Sequence, residues 1–240
     1  RKMSKSLGNA LDPLEIIKEY SADALRFSLI INSGQDLFIS KEKFEIGRNF
    51  ANKIWNASRL ILMNISLSPE EKKIDLSKDI DHKKLDLPSR WIISKFYSTV
   101  HNVEDAIEHY RFSEAENLIY EFFWHNFCDW YLEITKNRFA DKTTQIIAFS
   151  ILEQSLRLIH PFMPYVTEEL WDSIKLEDQC LTRSAWPVTH KKLISEKAEA
   201  EMQIVTELIS AIRNTRAQWN IKPNEEIDCV ISSSTAAELD

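Results

Sequence analysis

Residues 121–132 read Glu121-Phe122-Phe123-Trp124-His125-Asn126-Phe127-Cys128-Asp129-Trp130-Tyr131-Leu132. With Phe122, Phe123, Trp124, Phe127, Trp130 and Tyr131 in this stretch, a helix wound through it is apolar nearly all round, and such a helix has no face to give to water. It is expected to be the buried member of a helical bundle, running from a cap at Ser113, with Glu116 at the capping-box position, to about Phe139. A cluster of rings could also serve as a stacking surface, but core packing explains it more simply.

The rest of the chain supplies helices to surround it. Only three Gly and seven Pro among 240 residues, with abundant Leu, Ile, Ala, Glu and Lys, favour long helices over a turn-rich β protein. The periodicity predicts helices from Ser40 to about Ile65, Ser89 to Tyr110, Thr143 to His160 before Pro161 and Pro164, Thr167 to Ile174, and Glu196 to Trp219. Asp12-Pro13-Leu14-Glu15 opens a short helix to Tyr20, and a second begins near Ser21 and runs to Ile30. Residues 32–35 suggest a turn, 36–39 a short extended stretch, and the alternation at Glu226–Ile231 a strand. Positions 66–89 are charged and poorly periodic, an exposed connection with short helical pieces at most. The fold class is therefore mainly α: a small α/β element over 1–40, an antiparallel helical bundle over 41–188, and a C-terminal helix-strand piece over 189–240.

A hydrophobic content of 44% is enough for a real core. Cys128, Cys180 and Cys229 are odd in number, far apart and without ligand spacing, so neither disulfides nor a metal site is expected. No apolar run reaches the roughly 18 residues of a membrane span, and no basic-then-apolar signal opens the chain. A cytoplasmic location and no membrane partner are expected. The first residue is Arg1 rather than Met, which suggests a portion of a longer protein. The net charge of −7 argues against a generally basic nucleic-acid binder and against DNA as a partner, so any polyanion contact must be regional. Lys41, Lys43, Arg48, Lys53 and Arg59 outnumber Glu42 and Glu45 over positions 41–60, and Arg213, Arg216 and Lys222 stand without an acid at 210–222.

Two sets of residues ask for a functional reading. On the 40–65 helix, Arg48, Asn52, Asn56 and Arg59 recur at helical steps on a polar stripe with Asn49 and Lys53. The plain alternative is a solvated face. Three asparagines count against it, since Asn is a poor helix former and amides and guanidinium groups are suited to base edges. Trp55, in the same helix, is expected between helices, with a stacking role as the alternative. The other set opens the chain: Arg1-Lys2-Met3-Ser4-Lys5-Ser6-Leu7-Gly8-Asn9. Two ammonium groups a few residues apart repel unless a strongly anionic group lies between them. The six histidines show no ligand spacing and are assigned to packing or surface.

Lys2-Met3-Ser4-Lys5-Ser6, with Leu7-Gly8-Asn9 after it, resembles the KMSKS loop of the class I aminoacyl-tRNA synthetases. Asp23-Ala24-Leu25-Arg26-Phe27 resembles the DALR motif that follows the loop in this family. Asn126–Glu133 and His160–Trp171 resemble the helical anticodon-binding domain of its valyl, isoleucyl and leucyl branch. Gly47–Arg59, Ser33-Gly34-Gln35-Asp36 and Ile212–Arg216 are similar to the valyl side of that branch. The resemblance implies a stem-contact element at 1–40 and an anticodon-binding bundle. It implies ATP with Mg2+ and valine as reactants of the longer enzyme, and valine tRNA as partner. No cofactor is expected to stay bound to these 240 residues. Activation expels pyrophosphate, so a mobile lysine that reaches the β- and γ-phosphates as charge grows there lowers the barrier selectively. Lys5 is assigned that role, Lys2 that of secondary cation, Ser4 and Ser6 those of hydrogen-bond donors, and Gly8 and Asn9 those of hinge and anchor. Asn52, Asn56, Arg59 and Arg48 become anticodon-reading candidates, and unpaired bases do offer their edges and faces to such a surface. Asp23 and Arg26 are expected to tie the loop-bearing helix to its neighbours through an ion pair, with contact to the inner side of the tRNA as the alternative. Arg213 and Arg216 either meet the tRNA arm or flank the junction to a further C-terminal segment, which in this family is a coiled coil. No HIGH-like sequence, glycine-rich nucleotide turn or editing domain is present, so the 240 residues are not expected to make adenylate alone. The competing readings are a helical protein-interaction module with a solvated basic tail, and the equivalent isoleucyl segment.

Overall fold

The computed structural model describes residues 11–31, 41–174, 179–222, 224–228 and 230. The loop carrying Lys2, Ser4, Lys5 and Ser6, the turn and extended stretch at 32–39, the cap at Ser40 and the last ten residues lie outside the described residues.

The first two helices, α1 (Pro13–Tyr20) and α2 (Ala22–Ile30), are joined by one residue. Asp12 caps α1 as expected, accepting from the Leu14 N–H at 2.9 Å. Ser21 ends it at φ 100°, a conformation L residues rarely adopt, and its hydroxyl then caps α2 by accepting from the Ala24 N–H at 3.2 Å. Across α2 lies α3 (Lys41–Asn64). The two approach closely at Gly47: a Cβ placed there would stand 2.7 Å from the Ala24 carbonyl oxygen and 2.9 Å from its Cα. Backbone cannot swing aside as a side chain can. Gly47→Ala is therefore expected to destabilise by about 1–2 kcal/mol despite the better helix propensity of alanine, measured as a lowered urea midpoint.

The bundle continues with α4 (Leu87–Glu108), α5 (Phe112–Tyr120), a π-helical segment (Glu121–Leu132), a last helical turn α6 (Glu133–Thr135), and α7 (Lys142–Ile159). Phe50, Ile54 and Ile61 of α3, Ile92, Phe96 and Val100 of α4, and Ile147, Ile151 and Leu152 of α7 close around Phe123 and Phe127 of the π segment, all of them buried. The aromatic run supplies core residues as expected, Phe122, Phe123, Phe127, Tyr131 and Leu132, but it is not buried all round: Glu121, His125 and Asp129, four residues apart, are exposed. Its start differs from expectation. The Ser113–Glu116 box does not form: the helix begins at Phe112, the Ser113 hydroxyl donates to the Ile31 carbonyl at 2.6 Å, and Glu116 is drawn into the interior. Tertiary contact with α2 has taken the residues that a local cap would have used.

The chain then adds α8 (Pro164–Ile174) and α9 (Glu196–Gln218). The first half of α9 is fastened to α4: Ser94 donates to Glu199 at 2.6 Å, and the Lys95 ammonium pairs with the same carboxylate at 2.7 Å. The connection between α3 and α4 holds short 3-10 turns at Glu71–Lys73 and His82–Lys84 and is pinned by buried Leu76. Among the described residues there is no strand. Residues 226–228 and 230, where alternation suggested one, are irregular, and an alternating stretch needs a paired neighbour to become a strand. Among the described residues no helix is long and apolar enough to cross a membrane.

Candidate nucleic-acid interface

The exposed face of α3 carries the predicted stripe. Asn52, Asn56 and Arg59 are exposed, and among the described residues they form no hydrogen bond or ion pair. Arg48 is half-buried, its guanidinium 5.6 Å from the Tyr20 ring centroid and its Nη2 3.5 Å from the Asn49 side chain. It thus lies at the edge of the stripe, occupied by the α1–α3 contact, while the other three are free to meet a ligand.

Trp55 corrects the sequence reading: it is 42% exposed, not held between helices. It lies three residues after Asn52 and four before Arg59, so it shares their face, and only its size argued for burial. Met63 and Leu60 continue the exposed face at 72% and 41%. The surface therefore joins an indole, two amides, a guanidinium and apolar groups, a composition suited to stacked and hydrogen-bonded bases rather than to phosphate alone.

Beside this stripe the π segment presents a second set of groups. Lys53 of α3 crosses to it, pairing with Asp129 at 2.6 Å and lying 5.1 Å from the Trp124 ring centroid. His125 Nδ1 is 3.2 Å from the other Asp129 oxygen, and Tyr120 stacks on Trp124 with ring centroids 5.4 Å apart. Lys53 is thus committed within the protein, and Arg59 is the cation of the stripe that has no partner among the described residues. Later in the π segment, the Arg213 guanidinium of α9 lies 5.5 Å from the Trp130 centroid. Burial pushes the Cys128 thiol up to about 12, so it is an inert packing group.

The DALR-like helix is tied to the bundle as expected, but through backbone groups rather than an ion pair. The Asp23 carboxylate accepts from the N–H groups of Tyr165 at 3.1 Å and Val166 at 2.6 Å, capping α8 from a distance. Arg26 donates to the carbonyls of Pro161 at 2.9 Å and Phe162 at 3.4 Å, just before the same helix. Burial raises the Asp23 carboxyl above its usual range, outweighing the two N–H groups that favour its charged form. His160 bridges the Thr167 and Thr182 hydroxyls at 2.8 Å each, a packing role. Among the described residues no group of His, Cys, Asp and Glu could hold a metal ion.

Comparison with known proteins matches two parts of the chain to families, neither of them including α3. Residues 89–231 match the family described as the anticodon-binding domain of tRNA ligase, and residues 1–40 match tRNA synthetases class I (I, L, M and V). Similar curated proteins include a valine–tRNA ligase of Fusobacterium nucleatum, 44% identical over all of this chain and 28% of that protein. Others are those of Bacillus cereus, 40% identical over all of the chain and 27% of the relative, and Thermotoga maritima, 39% identical over 99% and 27%. The chain thus spans little more than a quarter of the length of these relatives. A solved structure of a LeuRS–tRNA–LeuAMS ternary complex from Agrobacterium radiobacter shares the fold, with a TM-score of 0.60 at 21% identity over 81% of this chain and 23% of that one. The chain, with its helical bundle behind a synthetase-type N-terminal segment, belongs to the anticodon-binding domain family of the class I tRNA ligases.

Proposed function

We propose that this chain is the tRNA-binding part of a valine–tRNA ligase and that the exposed face of α3 reads the anticodon of valine tRNA. The observation that carries this reading is the set of unpaired side chains Asn52, Asn56 and Arg59 around the exposed Trp55 ring. Free amides and a free guanidinium supply donors and acceptors for base edges, and the indole supplies a face for stacking. Relatives 39–44% identical that carry the name valine–tRNA ligase support valine over isoleucine.

In the longer enzyme, residues 1–40 form the nucleotide-facing loop and stem-contact element, 41–188 the anticodon-binding bundle, and 189–240 the C-terminal subdomain. Valine is activated there with ATP, which brings Mg2+ with it, and is then transferred to the 3′ end of its tRNA in the cytoplasm. Lys5 meets the expelled pyrophosphate, with Lys2, Ser4 and Ser6 assisting. A charge met only in the transition state raises the rate of activation without tightening the binding of valine. The 240 residues alone bind tRNA and do not activate valine.

Replacing Trp55, Asn56 or Arg59 by Ala, one at a time, is expected to weaken tRNA binding by about 1–3 kcal/mol per lost base contact. In the longer enzyme, adenylate formation without tRNA should be unchanged. Filter binding and pyrophosphate exchange measure the two. Equal losses for cognate and non-cognate tRNA would make these residues phosphate anchors, and no loss would return the stripe to solvated surface.

A further inference from the structure

The two halves of α9 carry opposite charge. The first, 196–207, holds Glu196, Glu199, Glu201 and Glu207 against Lys197, and two of its acids face the bundle: Glu199 takes Ser94 and Lys95, while Glu201 lies 3.8 Å from Arg90 and 3.7 Å from Lys197. Glu196 and Glu207 are exposed, the latter accepting from Gln203 of the same helix. From 208 to 224 there are Arg213, Arg216 and Lys222 and no acid at all, in a chain whose net charge is −7. The adhesion of α9 to α4 is thus made in its acidic half.

The two arginines differ in what they do. Arg216 donates to the carbonyls of Lys222 and Glu225 and folds the chain back after the left-handed Asn220, so its role is internal. Arg213 is exposed, has no carboxylate among the described residues, and lies over the Trp130 ring. A guanidinium placed over an indole, with its hydrogen-bond donors unused, can still offer two parallel N–H groups to a doubly accepting anion such as a phosphate. Trp219, 71% exposed, stands at the end of the same helix. Next to Trp130, between α4, the π segment and α9, a cleft of about 440 Å3 is lined by Trp91, Asn126, Gln203 and Thr206 together with Glu196 and the Lys95–Glu199 pair. It offers indole walls with amides and a hydroxyl, and carboxylates that can accept from a base N–H but would repel a phosphate.

We infer that the seam between the π segment and α9 is a second RNA-contact site, built from residues other than those of the α3 stripe. Arg213 takes a backbone phosphate there, and the adjoining cleft receives an unpaired base against Trp130. The inference rests on the reading of this chain as a tRNA-binding unit, and it adds a contact which that reading does not need. The charge argument rests on Arg213 alone, a cation without a carboxylate partner among the described residues in a stretch, 208–224, that has no acid, and it favours a polyanion over a second copy seated on the apolar residues Ile209, Ile212 and Ile221.

The test is valine tRNA binding by the 240-residue chain across a salt series, for wild type, Arg213→Ala, Arg213→Lys and Asn56→Ala. Arg213→Ala is expected to weaken binding about tenfold at low salt and to lower the slope of log affinity against log salt by about one, with unchanged helicity. Arg213→Lys should keep the slope but lose part of the affinity, because the charge remains without its planar fit to Trp130. If Asn56→Ala weakens binding while Arg213→Ala changes neither affinity nor slope, the seam is overturned and the α3 reading stands. If only Arg213→Ala weakens it, the seam stands and the α3 reading fails. A wild-type chain that binds no tRNA overturns both, and a shift in self-association with tRNA binding intact overturns the seam in favour of the second copy.

Discussion

Glu116→Gln is expected to stabilise this protein by about 3 kcal/mol at pH 7 and to remove the pH dependence expected from Glu116. Glu116 is 1% exposed, and neither carboxylate oxygen has a hydrogen-bond partner. Burial alone pushes its carboxyl up to about 9 from the ordinary 4.5. The unfolded chain therefore loses this proton near 4.5 while the folded chain keeps it to about 9. Below the lower value the group contributes no pH-dependent loss. Above it, stability falls by about 1.4 kcal/mol per pH unit until the folded state also ionises. Glutamine keeps the shape and a comparable polar burden and does not titrate. Urea unfolding of both chains at pH 5, 7 and 8.5 measures the difference. Parallel stability curves for the two would show that Glu116 ionises in the folded protein as it does in water.

Asp23→Ala is expected to cost about 3 kcal/mol, because two backbone N–H groups at the start of α8 lose their acceptor in a part-buried place and each orphaned donor costs roughly 1–3 kcal/mol. The same carboxylate complements the positive end of the helix dipole. Asp23→Asn retains one acceptor oxygen and avoids burying a charge, so about 1 kcal/mol is expected for it. The order Ala well below Asn in urea midpoints supports capping. An Asn variant as damaged as the Ala variant would instead make the charge the important property.

These two residues also mark where sequence reasoning reached its limit. Long helices with a clear apolar period were legible: α3, α4, α7 and α9 lie close to where caps and breakers put them, with Asp86, Asp141 and Ser195 as observed side-chain caps. The start of α8 was not. Its cap is Asp23, 142 residues before Tyr165, so no local signal marks Pro164 as the first turn. Ser113 and Glu116 have the spacing of a box, yet the first bonds to α2 and the second is buried, which only the tertiary fold decides. The π segment was hidden for a different reason. Glu121, His125 and Asp129 mark an exposed side at four-residue steps, but a four-residue step fits both windings, and the rings between them hid that Trp124 and Trp130 stand partly exposed beneath Lys53 and Arg213.

The candidate site was legible in its polar part alone. Asn52, Asn56 and Arg59 were found because helix propensity does not ask for them. Arg48 was counted with them, although its neighbour Tyr20 comes from another helix. Trp55 was assigned inward on size, when its register already placed it among the polar residues. The loop with Lys2, Ser4, Lys5 and Ser6 stays a reading of the sequence, since it falls outside the described residues.

The central claim is that the free side chains on α3 recognise the anticodon of valine tRNA. Its most direct test is the affinity of the 240-residue chain for valine tRNA, and for the same tRNA with only its anticodon replaced by that of isoleucine tRNA, at matched salt. The account predicts tighter binding of the valine anticodon by about 1–3 kcal/mol per altered base contact, a preference that Asn56→Ala reduces. Equal affinity for the two tRNAs in the wild-type chain would contradict it.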